Sequence, residues 1–263
     1  MLTETEPRAG VHPTAVVDDD VVLGEGVVIG PYCIVGPNVT LGDETVLDSH
    51  VRVRDTVTGS ACHIHHGAVL GTDPQDLKFE GEDTVLVVGD RTVIREYATV
   101  NRGTSARGRT VVGSEVLLMA YAHVAHDCII GDHVILSNAV NMGGHVEIQD
   151  WAIVGGLTAI HQFVRIGAHA FVGGASRVPK DVAPFVRAAG SPIEMAGLNS
   201  VGLQRRGFST EARRELKRAY RLMFRSNLNV TQALKRAWTD LEILPEVEQF
   251  LRFFEESERG VSL

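Results

Sequence analysis

From Val112 to Val178 every sixth residue is a large apolar one: Val112, Leu118, Val124, Ile130, Leu136, Met142, Ile148, Val154, Ile160, Ile166, Val172 and Val178. A period of six sustained over this length names one architecture, a parallel β-helix built of hexapeptides. The positions two before each rung are small or β-branched (Ala122, Cys128, Val134, Val140, Ala152, Thr158, Ala170, Ser176), which suits a narrow interior. Glycine often follows the rung, at Gly113, Gly131, Gly143, Gly155, Gly167 and Gly173. That placement predicts a corner of unusual φ/ψ just after the rung.

Three hexads close one triangular turn, so residues eighteen apart stack at roughly the spacing of neighbouring strands, about 4.8 Å. This stacking sorts the polar residues. Gly108, His126, Gly144 and Gln162 share a column, Asp127 and His145 the next, and Gly143 and His161 the one on the other side. His123 falls under Asn141. A bare glycine amide therefore lies one turn from a histidine, on one corner of the prism.

Composition removes several function classes. A formal charge of −8 implies no general attraction to nucleic acid. Three cysteines, Cys33, Cys62 and Cys128, cannot all pair and lack metal-motif spacing. A reduced, cytoplasmic setting is the expectation. Met1 to Gly10 is polar with no signal-peptide core, and no run of eighteen apolar residues suggests a membrane span.

Along the chain, the rungs Val17, Leu23, Ile29, Val35, Leu41, Leu47 and Val53 run unbroken, then slip by one residue near Asp55–Thr58. Residues 71–86 lose the repeat and read as a loop thrown out of the coil, as do residues 102–109. Pro179, Pro184 and Pro192 are read as ending the ladder. Residues 1–190 thus form the coil and 191–263 a helical domain. Ser209 is a predicted N-cap with Glu211 in the first turn, ahead of a stripe of Leu216, Ala219, Tyr220 and Met223. A second helix is predicted from Thr231 to Leu244, stopped by Pro245, and a third carries Val247, Phe250, Leu251 and Phe254. Between Arg205 and Arg225 eight basic residues face two acidic ones. This excess reads either as a solvated helix face or as a dock for an acidic partner.

The motifs VHPTAVV, PQDLKFEGE, AHVAHDC, GGHVEI, GGLTAIHQF, VGGASRV and LNSVGLQRRGFS run from His12 to the helix entry. With them the chain resembles the UDP-N-acetylglucosamine O-acyltransferases that begin lipid A biosynthesis, over nearly its whole length. The resemblance implies a left-handed β-helix with a C-terminal helical domain, although ordinary crossovers are right-handed. It also implies a homotrimer with sites in clefts between subunits. The implied reaction moves an (R)-3-hydroxyacyl group from acyl carrier protein to the 3-hydroxyl of UDP-N-acetylglucosamine, without cofactor or metal.

That chemistry needs a base, an orienter for the base and an oxyanion donor. His126 fits the base, Asp127 the orienter, and the Gly144 N–H the donor. By resemblance Gln75, Asp76 and Lys78 grip the sugar nucleotide, and His123, His145, His161 and Gln162 position sugar or acyl chain. Asn199, Arg205 and Arg206 match the nucleotide end, where arginine suits a diphosphate. Gly174 matches the position limiting acyl length, so a long chain is expected, with Phe171 nearby able to shorten it. Arg213, Arg214, Lys217, Arg218, Arg221 and Arg225 are the docking candidates for the acidic carrier protein. Three positions depart from the family: Val201 replaces a common glutamate, Asn101 a histidine and Tyr121 an asparagine. They leave open whether the acceptor carries a 3-hydroxyl or a 3-amine. His12, His50, His63, His65, His66, His133 and His169 read as outward coil residues, and Cys128 as packing.

Three other readings compete. A zinc lyase of the carbonic anhydrase type also uses a trimeric β-helix with interface histidines. The related N-acyltransferase carries an additional N-terminal domain, whereas the coil here begins within about fifteen residues of Met1. A non-catalytic scaffold would need none of these polar columns.

Overall fold

The computed structural model describes residues 10–263. The polar stretch Met1–Ala9, expected to lack a leader core, lies outside the described residues. Each hexad contributes a strand of about two residues to one face of a three-sided coil: Leu117–Leu118, then His123–Val124, then Ile129–Ile130, and so on. Strands one turn apart pair in parallel, as in Leu117↔Ile135, Ile129↔Glu147 and Ile153↔Phe171. The result is three sheets of eleven, nine and eight strands. All twelve rungs from Val112 to Val178 are buried, as are the small residues two before them. The core is therefore a thin aliphatic column, in which each rung packs on the rungs of adjacent turns.

The glycine expectation is corrected. The left-handed corner lies three residues before each rung, and non-glycine residues fill it: Tyr121 (φ 62), Asp127 (φ 59), His133 (φ 57), His145 (φ 62), Trp151 (φ 63) and Phe163 (φ 65) among them. Such backbone costs an L-residue roughly 1–2 kcal/mol. Ladder bonds offset this, as when the His145 N–H donates to His126 O (3.0 Å) and the Phe163 N–H to Gly144 O (3.1 Å). Glycine after the rung answers a different need, the close approach of the next coil. A Cβ on Gly113 would stand 2.7 Å from the Gly131 carbonyl carbon, and one on Gly143 would stand 2.9 Å from Gln162 N.

The slip is a turn one residue short. Ile34 pairs with Arg52 at the full spacing, but Thr40 pairs with Val57. Asp55 takes up the tight corner (φ 42). The first loop is shorter than expected, because Val69–Thr72 and Val85–Val88 are strands. The coil also outlasts its prolines. Val182 bridges Ile166, and Val186–Ala189 pairs in parallel with Phe171–Val172 before turning back antiparallel into Glu194–Leu198. Pro179 and Pro184 sit where the ladder needs no N–H from them.

Four helices follow. α1 (Ser200–Arg205) was not expected; it is short and has no apolar stripe. α2 (Thr210–Phe224) has the predicted Ser209 cap, whose Oγ accepts the Ala212 N–H at 2.9 Å, and it buries the predicted stripe. α3 (Val230–Asp240) opens on an Asn229 capping box and ends short of Leu244. Pro245 does not stop it; it is the first residue of α4 (Pro245–Glu255), where a missing N–H does no harm. Phe250 and Phe254 of α4 pack with Phe224 of α2. The chain end returns to the coil, where Ser262 N–H donates to Asp181 O. Among the described residues no helix is long and apolar enough to cross a membrane.

Candidate active site

His126 and Asp127 occupy the corner between strands His123–Val124 and Ile129–Ile130. Asp127 is wholly buried, in the left-handed conformation that aspartate tolerates better than most residues. Its carboxylate is fully engaged. Oδ1 accepts the Thr104 N–H (3.0 Å), and Oδ2 accepts the Thr104 hydroxyl (2.7 Å) and lies 2.8 Å from His126 Nδ1. Its own N–H donates to Thr110 Oγ1 (2.8 Å). Burial alone would push this carboxyl up, but the hydrogen bonds from His126 and Thr104 prevail and hold it below its ordinary value. An ionised carboxylate only accepts, so Nδ1 of His126 carries a proton, and in the neutral imidazole Nε2 holds the lone pair.

Gly144 lies against that ring. A Cβ there would stand 2.6 Å from His126 Nε2 and 3.0 Å from Nδ1. Here glycine is required by contact. Among the described residues the Gly144 N–H meets no acceptor. Gly108, assigned to the same column, closes the second loop instead, with its N–H bonded to Thr104 O (2.7 Å).

His145 follows one coil up. Its Nε2 is 3.7 Å from Asp127 Oδ2, and its ring stands edge-on to His126 (5.2 Å) and flat on Phe163 (4.5 Å). Burial lowers its pKa despite Asp127, so it is neutral near pH 7. Asp76 of the first loop is near enough to oppose that shift slightly. His123 is partly buried, with Nδ1 2.7 Å from Thr99 Oγ1, and burial lowers its pKa too. A cavity of about 480 Å³ opens beside His145 and Phe163, lined by Arg107, Glu147, Arg165 and Arg259 but not by His126. His161 and Gln162 are exposed, and Arg259 donates to His161 Nδ1 (2.9 Å).

Other expected residues lie elsewhere on the prism. Gln75 and Lys78 are exposed on the first loop, where Asp76 Oδ1 accepts the Lys78 N–H (3.0 Å). Asn199 is buried as the cap of α1. Its Oδ1 takes the Gly202 N–H and its Nδ2 donates to His169 O (3.0 Å), so its side chain is committed to structure. Arg206 is packed as well, with its guanidinium 5.0 Å over Trp151 and 3.3 Å from His169 Nδ1. Burial, then Arg206, pushes His169 down to about 4. Arg205 alone of this group is exposed. Phe171 lies in the eleven-stranded sheet and Gly174 just past its strand, whereas His126 stands between the other two sheets. On α2 the six basic residues differ. Arg214 and Arg218 flank the buried Glu215, and Arg225 bonds Met195 O. Arg213, Lys217 and Arg221 have no ion-pair partner among the described residues. Burial raises the Cys128 thiol to about 12, so it packs and does not react.

Sequence reasoning missed Thr104 and Thr110, which fix Asp127, and Arg259. Thr104 lay inside the second loop that the broken repeat exposed, but its partner is out of the eighteen-residue register. Nothing local links Arg259 to His161. His126, Asp127 and His145 could offer three atoms to a metal. Asp127, however, is buried and already saturated by donors, which suits an orienter better than a ligand.

Comparison with known proteins bears on the family and the fold. The family model described as Udp N-acetylglucosamine O-acyltransferase, Domain 2, matches residues 181–262. Bacterial transferase hexapeptide repeats match 20–55 and 109–144. The acyl-[acyl-carrier-protein]–UDP-N-acetylglucosamine O-acyltransferase of Anaeromyxobacter sp. (strain K) is 46% identical over 193 residues, 73% of this chain and 75% of that one. Its counterpart in Thiobacillus denitrificans is 44% identical over 199 residues, 75% and 77% of the two chains. The LpxA structure from Acinetobacter baumannii superposes with TM-score 0.94 at 42% identity, covering 96% of this chain and 99% of that one. The Bacteroides fragilis UDP-N-acetylglucosamine acyltransferase does so with TM-score 0.94 at 38% identity and the same coverage. The fold is thus the left-handed β-helix of these structures with a C-terminal helical region. The zinc-lyase and scaffold readings fall away, and the chain belongs to the UDP-N-acetylglucosamine O-acyltransferase family, as an acyltransferase.

Proposed function

We propose that this chain transfers an (R)-3-hydroxyacyl group from acyl carrier protein to the 3-hydroxyl of UDP-N-acetylglucosamine, the opening step of lipid A biosynthesis, with His126 as general base. One observation supports the mechanism: Asp127 Oδ2 lies 2.8 Å from His126 Nδ1, and the imidazole packs where a Gly144 side chain would be. His126 Nε2 takes the sugar hydroxyl proton as that oxygen attacks the thioester carbonyl. Charge develops on the carbonyl oxygen, to which the Gly144 N–H donates in this reading. The intermediate collapses, the C–S bond breaks, and the imidazolium returns the proton to the departing thiolate. Asp127 stabilises the imidazolium between the two transfers. No acyl-enzyme is needed.

The remaining roles follow the same reading. Gln75, Asp76 and Lys78 hold the sugar nucleotide, with His123, His145, His161 and Gln162 positioning sugar or acyl chain. Arg205 meets the diphosphate, while Asn199 and Arg206 fix the helix that presents it. Phe171 and Gly174 bound the acyl chain. His126 stands between the nine- and eight-stranded sheets, and Phe171 lies in the eleven-stranded one. These two places lie on different faces of one prism, and in this reading a neighbouring copy, in a homotrimer, completes the site. The acidic carrier docks on α2, chiefly through Arg213, Lys217 and Arg221.

The test is product formation from UDP-N-acetylglucosamine and (R)-3-hydroxyacyl carriers of several lengths, beside the 3-amino acceptor. Ester formation with a donor longer than ten carbons is the expected result. Amide formation alone would overturn the acceptor, and a ten-carbon preference would overturn the open groove at Gly174.

A further inference from the structure

A second carboxylate lies between two imidazoles, far from the chemistry. Asp48 follows the rung Leu47, and His63 and His65 flank the rung Ile64 in the next coil, where Leu47 pairs with Ile64. Asp48 Oδ1 is 3.0 Å from His63 Nε2, and Oδ2 is 3.1 Å from His65 Nδ1. The two rings stack at 3.9 Å. In the coil above, Glu96 Oε1 is 4.0 Å from His65 Nδ1. The three ligand atoms lie within 4.8 Å of one another.

We propose that Asp48, His63 and His65 form a binding site for a divalent transition metal of the zinc class, with a fourth position open to water or Glu96. The acyl-transfer reading gives these residues no task. Ligands at about 2.0–2.1 Å around a tetrahedral ion stand about 3.3 Å apart, so both present N···O separations are close to what the ion needs. Two imidazoles and one carboxylate suit zinc, cobalt or nickel and not calcium or magnesium, which take oxygen. The site is also accessible. The Asp48 and His63 side chains are 37% and 41% exposed, and among the described residues His65 and the Arg95–Glu96 pair are the other charged groups close to Asp48. Both Glu96 oxygens accept from Arg95, at 3.0 and 2.9 Å, so water is the readier fourth ligand. An ion here would pin consecutive coils beside the turn that is one residue short.

The test uses the full-length protein stripped with chelator and titrated with zinc chloride against a chromophoric competitor. Wild type is expected to take one zinc per chain with a rise in melting temperature. Asp48→Asn and the pair His63→Gln, His65→Gln should each weaken this zinc by about 100-fold, with turnover unchanged. His145→Gln should leave zinc uptake unchanged. Cobalt in place of zinc should give the visible bands of a tetrahedral site only when Asp48 and both histidines are present. No stoichiometric uptake by wild type would overturn the proposal. So would equal uptake by the Asp48 variant, or loss of uptake on changing His145 alone.

Discussion

The prism carries two groups of one aspartate and two histidines on successive coils, and they have opposite surroundings. Asp127 is sealed from water, and three donors from Thr104 and His126 saturate its carboxylate. The Asp48 carboxylate is partly exposed, and its hydrogen-bond-range partners among the described residues are the two imidazoles. The coil supplies the same stacking in both places. What separates an orienter for a base from an open ligand set is the second excursion, which drops Thr104 over one carboxylate and has no counterpart over the other. Gly144 adds the second distinction, a side-chain-free peptide against the His126 ring.

The comparison is breakable at each of these points. Gly144→Ala puts a methyl 2.6 Å from His126 Nε2 and should lower kcat by about 100-fold or more, with the fold intact by circular dichroism. Thr104→Val removes one hydrogen bond from a buried carboxylate and should lower kcat about ten-fold, with little change in the KM for either substrate. The matching change at the other group, Asp48→Asn, should leave kcat unaltered. If both aspartate environments respond alike, the distinction fails.

A fourth variant tests the stability attached to the corners. His169 titrates near 6.5 unfolded and near 4 folded, so the unfolded chain binds the proton more tightly. Its contribution is complete above pH 6.5 and is lost as pH falls towards 4. Wild type should therefore lose about 2 kcal/mol more than His169→Gln over that window in urea melts, allowing for partial solvent screening. The smallest effect concerns α2. Lys217→Glu with Arg221→Glu should raise the KM for the acyl carrier protein several-fold at low salt and hardly at all at high salt.

Much of this was legible in the chain. A period of six gives the coil, and eighteen-residue stacking brings His126, Asp127 and Gly144 together, because identical turns convert spacing into position. Legibility ended where the repeat did. Thr104 lies in an excursion, and Arg259 reaches His161 from the far end of the chain. The glycines after the rungs were read as answering torsion when the next coil's backbone is what excludes a side chain. α3 was drawn too long because Pro245 looks the same whether it stops one helix or starts another. Asn199 and Arg206 match the nucleotide end by resemblance, and no spacing announces their contacts with His169 and Trp151.

The central claim is that His126, oriented by Asp127, removes the acceptor's proton. The most direct measurement is the single-turnover rate of His126→Ala, with its oligomeric state checked by sedimentation. A loss of about 10³-fold or more in an assembly identical to wild type is predicted. A rate within ten-fold of wild type would contradict the account, whatever the remaining residues do.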